Sequence, residues 1–251
     1  MPNSIFKARL QLLFGALLFS LVFSHPERPF SSQGASGSAD YAAWDALLRK
    51  HVNKAGRVDY AGFASDKIAL DRYLRTLAAN PPAGSWGRAR KMAYWINAYN
   101  AFTVDLIVKN YPLNSILSLD NGKTWDVKRI SLGGQTYSLN QIENEILRAR
   151  FNDPRIHFAI NCAAKSCPPL SNRAYTAANL ERTLTERTRA FINDTRFNTF
   201  APDHARISKI FEWYSADFGD LKAFLNRYAA VQLQPAAAVE FQEYDWALNA
   251  Q

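Results

Sequence analysis

Residues 91–108 read KMAYWINAYNAFTVDLIV. The apolar spacing predicts a helix over residues 85–108, and its centre is apolar on nearly every side. A helix without a solvent face has to be wrapped by the rest of the chain. This segment therefore sets the architecture: a long buried central helix with everything else packed around it. Two amides, Asn97 and Asn100, stand one helical turn apart inside it. Amides in such a place require partners.

The flanking segments are shorter. Residues 41–52 carry apolar side chains at helical spacing, with Asp40 as the expected N-cap. Gly56 breaks that pattern, and residues 57–63 (RVDYAGF) read as a short extended stretch. Residues 68–77 are helical again, stopped by Asn80-Pro81-Pro82, and Tyr111-Pro112 ends the central helix. KRISLGGQTY, residues 128–137, reads as strand, Gly133-Gly134 turn, strand. Ser138 and Gln141 form a capping box ahead of an apolar face of Leu139, Ile142, Ile146 and Leu147.

After Pro154, residues 156–160 alternate into a short strand. Residues 176–192 are an amphipathic helix, and 197–200 pair with 205–208 as a hairpin around Pro202-Asp203. Residues 210–214 and 217–228 read as helices, and 239–248 as a closing strand. Helices outnumber short, hairpin-connected strands. The expected class is α+β: a single domain over residues 40–251, mostly helical.

The N-terminal residues are expected to lie outside that domain. Lys7 and Arg9 precede an uncharged apolar run of 14 residues, 10–23. That length suits a signal-peptide core and is short for a membrane span. With small residues at Val22 and Ser24, cleavage is expected after Ser24, giving a signal peptide over 1–24. Residues 25–39, rich in Ser and Gly, are a flexible leader. The expected location is periplasmic or extracellular, with an uncleaved N-terminal anchor as the alternative. Cleavage removes Lys7 and Arg9 and no acid, so the net charge falls from +8 to +6. The bases are interleaved with acids, which reads as a solvated surface and not as a nucleic-acid face. No stable membrane span is expected once the signal is removed.

Walker A, G-x-S-x-G, H-E-x-x-H and dinucleotide patterns are all absent, and no cofactor is expected. One segment, DPRIHFAINCAAKSCPPL (residues 153–170), combines reactive side chains: His157 and the only two cysteines, Cys162 and Cys167. A strand running on through Cys162 would set His157 and Cys162 on opposite faces, about 16 Å apart at 3.3 Å per residue. A His–Cys pair therefore needs a turn near Asn161. Three readings stay open on the residues alone. One cysteine is a nucleophile with His157 as its base; or the cysteines form a disulfide that staples the loop; or His157, Cys162 and Cys167 bind zinc, without an evident fourth ligand.

Further candidates surround that segment. Asn97 or Glu143 would orient His157, and Asn100 would help bind a substrate amide. Lys165 would lower a thiol pKa. Lys209, Trp213, Tyr214 and Asp217 mix aromatic bodies with polar ends and suit a pocket wall. The N–H groups of residues 161–166 would hold an oxyanion.

The stretches YWINAYNAFTVDLIVKNYP (94–112), YSLNQIENEILR (137–148), DPRIHFAINCAAKSCPPLSNRAYTAANL (153–180), SKIFEWYSADF (208–218) and YDWALN (244–249) follow one another in the order of a known family. On them the chain resembles the bacterial branch of domain-of-unknown-function family 547. The resemblance implies a single domain that begins before the Tyr94 helix, and it brings no reaction with it. It directs attention to His157 and Cys162, because the family keeps the first cysteine more regularly than the second, intracellular plant relatives included. That implies Cys162 as nucleophile or pocket residue, with Cys167 secondary. The expected function is a thiol-dependent hydrolase or acyltransferase acting on an amide, peptide or thioester. The alternative is a non-catalytic envelope binding protein with a Cys162–Cys167 disulfide.

Overall fold

The computed structural model describes residues 41–251. The expected signal peptide, leader and Asp40 cap lie outside the described residues. Four helices form the first half: α1 (Ala42–His51), α2 (Tyr60–Ser65), α3 (Lys67–Ala79) and α4 (Arg88–Asn110). Met92 to Ala101 are buried without interruption along α4, as expected of a helix that is apolar all round. Trp44, Phe63, Leu70, Tyr73 and Leu77 from α1–α3 pack in the same core as α4.

α2 departs from expectation. Asp59 accepts the Gly62 N–H at 2.8 Å and caps a helix where the sequence reads as extended. Only Val58 keeps extended pairing, bridging Val52 and Ala250.

Next comes the hairpin β1 (Ile130–Leu132) and β2 (Gln135–Tyr137), with Ile130 opposite Tyr137. Gly133 and Gly134 both take positive φ, as its two-residue turn demands. The capping box forms as read: Ser138 N–H donates to Gln141 Oε1 at 3.2 Å, and Gln141 N–H to Ser138 Oγ at 3.1 Å. The helix it starts, Gln141–Arg148, is a π-helix, continued by one turn of α5 (Ala149–Phe151). In an α-helix, residues five apart point about 140° from each other. The wider i→i+5 turn swings Glu143 and Arg148 towards one side.

Residues 156–160 are not a strand. Pro154–Phe158 is a 3₁₀ helix, capped by Asp153, whose side chain accepts the Arg155 N–H at 3.0 Å. Asp followed by Pro at the first helical position is a helix start, and it overrides the alternation of Ile156, Phe158 and Ile160.

The rest comprises α6 (Leu180–Ile192), β3 (Thr199–Ala201), β4 (His204–Ile207), α7 (Ile210–Trp213), α8 (Ser215–Phe218), α9 (Leu221–Tyr228) and β5 (Ala238–Phe241). β3 and β4 are antiparallel, and β5 joins β4 in parallel. The closing strand is thus shorter than expected. After β5 the chain only bridges at single residues, Leu248 to Ala164 and Ala250 to Val58. A second core gathers Phe158, Phe191, Phe211, Phe218 and Phe224. Adjacent residues of the 3₁₀ helix therefore part company, Phe158 into this core and His157 towards a cavity. The class is α+β in a single, mostly helical domain.

Gly56 has φ +75°, and a Cβ there would lie 2.2 Å from Pro169 Cβ and 2.8 Å from Pro169 Cα. Pro169 belongs to the cysteine loop. Gly56→Ala is expected to cost about 2–4 kcal/mol, from left-handed strain plus overpacking, measured as a lowered midpoint in urea.

Candidate functional site

The cysteine loop is held from three sides. On the α4 side, Asn100 Oδ1 accepts the Asn161 N–H at 2.9 Å, and Asn100 Nδ2 donates to the Ala159 carbonyl at 2.9 Å. Within the loop, Asn161 Oδ1 accepts the Ala163 N–H at 3.0 Å, and Asn161 Nδ2 donates to the Pro168 carbonyl at 2.9 Å. Ala163 takes φ +67°. This is the turn that a His–Cys site requires, built by one asparagine side chain. On the third side lies the C-terminal segment. Asn249 Nδ2 donates to Asn161 Oδ1 at 3.1 Å, Lys165 N–H to the Ala247 carbonyl at 2.8 Å, and Ser166 N–H to the Asp245 carbonyl at 3.2 Å.

Both cysteines are free thiols, so the disulfide staple is not formed. The Cys162 N–H donates to Cys167 Sγ at 2.9 Å, and Cys162 Sγ meets Tyr244 Oη at 3.2 Å. Burial alone would raise the Cys162 thiol. Hydrogen bonds from the Cys167 thiol, the Tyr244 hydroxyl and the Ala164 N–H outweigh it and bring the pKa below the usual thiol range. Burial and the neighbouring Cys162 push Cys167 well up. Burial, then the two cysteines, also raise Tyr244 well above its ordinary value, so it stays protonated and is the donor to Cys162.

His157 is almost fully enclosed. Its Nε2 lies 2.7 Å from Asp217 Oδ2, and its ring stacks on Tyr214 at 4.1 Å between centroids. Arg148 grips the same carboxylate with two prongs, Nε to Oδ2 at 2.6 Å and Nη2 to Oδ1 at 2.8 Å. The bond from His157, and then the Arg148 fork, hold Asp217 well below the usual carboxylate range. A carboxylate at Nε2 selects the tautomer with its proton there and leaves the lone pair on Nδ1. The Tyr214 hydroxyl donates to Glu143 Oε1 at 2.7 Å. Tyr214 is kept protonated by burial and by Glu143.

The two cysteines, His157, Glu143, Tyr214 and Tyr244 open on one cavity of about 280 Å³. Its walls include Cys162, Cys167, His157, Glu143 and Tyr99, and an aromatic side made of Trp125, Trp213, Tyr214, Tyr244 and Trp246.

Of the residues expected at a site, Cys162, Cys167, His157, Glu143, Trp213 and Tyr214 line this cavity. The others do not. Asn97 does not orient His157; its amide clasps the backbone of Tyr175, donating to the carbonyl at 2.6 Å and accepting the N–H at 3.0 Å. Asn100 does not face the cavity either, because both ends of its amide hold the loop. Glu143 bonds Tyr214, and the residue that orients His157 is Asp217. Lys165 is exposed on another face, and Lys209 pairs with Glu212 at 3.5 Å. The turn holds no spare oxyanion donors, since its N–H groups are already engaged. Tyr99, which burial keeps protonated, is the neutral hydroxyl left on the wall. Among the described residues, no group of three His, Cys, Asp or Glu side chains is placed to hold a metal ion. The zinc reading therefore has no ligand set there.

Sequence reasoning missed the roles of Asp217, Arg148, Tyr244 and Trp246. The aromatic density of YDWALN was a signal for the last two. The pairing of Asp217 with His157 spans 60 residues and leaves no local trace.

The folded pKa of Asp217 lies below its unfolded one. Its stabilisation is therefore complete above the ordinary carboxylate range, near pH ~4, and is lost as pH falls through that range towards the folded value. Asp217→Asn is expected to lower stability by about 2–3 kcal/mol at neutral pH and to flatten the acid limb of the stability profile. Urea unfolding from pH ~3 to ~7 checks both.

Among the described residues, no helix is long and apolar enough to cross a membrane. No curated protein matches the chain, and no solved structure does. α7, α8 and the C-terminal segment, which supply Trp213, Asp217, Tyr244 and Trp246, lie beyond the residues that match a family model. Residues 83–192, which carry α4, Glu143, His157, Cys162 and Cys167, match the family model described as Protein of unknown function, DUF547.

Proposed function

We propose that the protein is a thiol-dependent acyl-transfer enzyme, a hydrolase or acyltransferase acting on an amide, peptide or thioester outside the cytoplasm. One observation carries the reading: a Cys162 sulfur supplied with donors that favour its thiolate opens on the same cavity as a His157 already oriented by Asp217.

In this mechanism the Cys162 thiol gives its proton to Nδ1 of His157. No hydrogen bond joins the two among the described residues, so the proton passes through one water. The thiolate attacks the substrate carbonyl carbon, forming the C–S bond. Tyr99 donates to the oxygen that gains charge. The bond to the leaving group then breaks as that group takes the Nδ1 proton. Water or an acceptor amine, deprotonated by His157, attacks the thioester, and the C–S bond breaks to return the thiolate. Tyr244 and Cys167 stabilise the thiolate before attack and when it is expelled, so the main work of His157 is protonating the leaving group. Asp217 stabilises the imidazolium.

Exposure to p-nitrophenyl acetate followed by intact-mass measurement is expected to show one acetyl group on Cys162. Cys162→Ser abolishes it, and His157→Ala slows release of the acyl group by roughly 10²-fold or more. If neither ester nor thioester probes ever add mass at Cys162, the reading fails.

A second expectation concerns the thiol alone. Tyr244→Phe removes one hydrogen bond to a charged group, about 1.5 kcal/mol. Iodoacetamide should then alkylate Cys162 roughly ten-fold more slowly at neutral pH, with the midpoint of the rate–pH profile moved upward. An unchanged profile would show that Tyr244 does not tune this sulfur.

A further inference from the structure

The aromatic side of the cavity is a continuous surface. Trp213 lies 4.8 Å from Tyr244 and 5.8 Å from Trp246, centroid to centroid, and Tyr244 lies 4.6 Å from Trp246. Trp125 closes the edge at 5.7 Å from Trp246. Trp213 is 44% exposed at the rim. A large aromatic left in water at the mouth of a cavity marks a surface that receives something.

Glu143 faces this surface. It is 6% exposed, and its hydrogen bond comes from a neutral hydroxyl, Tyr214. Among the described residues no cation forms an ion pair with it. Arg148 reaches it only through space, since its two-pronged bridge is committed to Asp217. A buried carboxylate without a hydrogen-bonded cation is costly. Beside it stands a sulfur that gains negative charge when it reacts. An anionic ligand would meet both groups unfavourably.

A sugar would need several hydrogen-bond partners. Two of the three tyrosine hydroxyls on the wall are already given to Glu143 and Cys162. A methylated or simple alkylammonium needs none. It needs aromatic faces, a nearby negative charge and a dry setting. We propose that this cavity recognises substrates through an alkylammonium group, seated against Trp213, Tyr244 and Trp246 and facing Glu143. The inference deepens the acyl-transfer reading by naming the substrate class, and it rests on that reading only for the cavity being the substrate site.

The test is calorimetric titration of the full chain with choline and with its neutral isostere, 3,3-dimethylbutan-1-ol. Choline is expected to bind at least roughly ten-fold more tightly. Nα-acetyl-lysine amide in a third titration tells a primary ammonium from a quaternary one, and either preference over the neutral compound supports the class. Glu143→Gln should remove most of the difference without changing the isostere. Trp213→Ala, at an exposed position that does not threaten folding, should weaken choline. Cys162→Ser cannot be acylated yet should keep the preference, so failed chemistry and failed recognition are read separately. Equal binding of choline and the isostere, no binding of either, or tighter binding of N-acetylglucosamine would overturn the proposal.

Discussion

Asn100 is the fixed point of the molecule. A 23-residue helix that is buried along most of its length offers no ordinary place for an amide, and this one is satisfied by the backbone that leads into the turn carrying Cys162. From there a line of buried amides continues. Asn161 shapes the loop, Asn249 reaches Asn161, and the Tyr60 hydroxyl donates to Asn249 at 2.7 Å. α2, α4, the cysteine loop and the C-terminal segment therefore share one hydrogen-bonded core. Each partner removed leaves a buried group unsatisfied, at about 1–3 kcal/mol. The thiol is positioned by polar groups that hold backbone, while apolar packing supplies the bulk around them.

Local signals were faithful where chemistry and structure are both local. The buried helix, the Gly133-Gly134 hairpin and the Ser138–Gln141 capping box stand in the sequence because a few neighbouring residues decide them. Two misreadings were also local. Asp59 and Asp153 both cap short helices, and in each case apolar alternation over five to seven residues looked like strand. An aspartate whose side chain caps the next turn outweighs so short an alternation. The π-helix at Gln141–Arg148 has no comparable mark, since Glu143 and Arg148 meet partners far along the chain, Tyr214 and Asp217.

The site was legible in its reactive atoms and hidden in its arrangement. Cysteine and histidine announce themselves by type. Which carboxylate serves His157 is decided by the docking of α8 against the 3₁₀ helix through Phe158 and Phe218, 6.1 Å apart. Asn97 and Asn100 show the reverse case. They stood out correctly as amides that had to be satisfied, and backbone satisfied them. The two acids beside His157 and Tyr214 divide the work because one is bridged to an arginine and the other is not. Asp217, held by Arg148, orients His157, whereas Glu143 is held by a neutral hydroxyl.

The C-terminal segment gives the thiol its order of assembly. Cys162 and Cys167 leave the ribosome some 80 residues before Tyr244 and Trp246. Until those last side chains arrive, the sulfur lacks its phenolic donor, the loop lacks its outer edge and the aromatic wall is incomplete. An exposed cysteine is at greatest risk of adventitious chemistry while a chain is unfinished. Here the same late segment both ends that exposure and completes the cavity, so the thiol acquires the donors that lower its pKa only as it is covered.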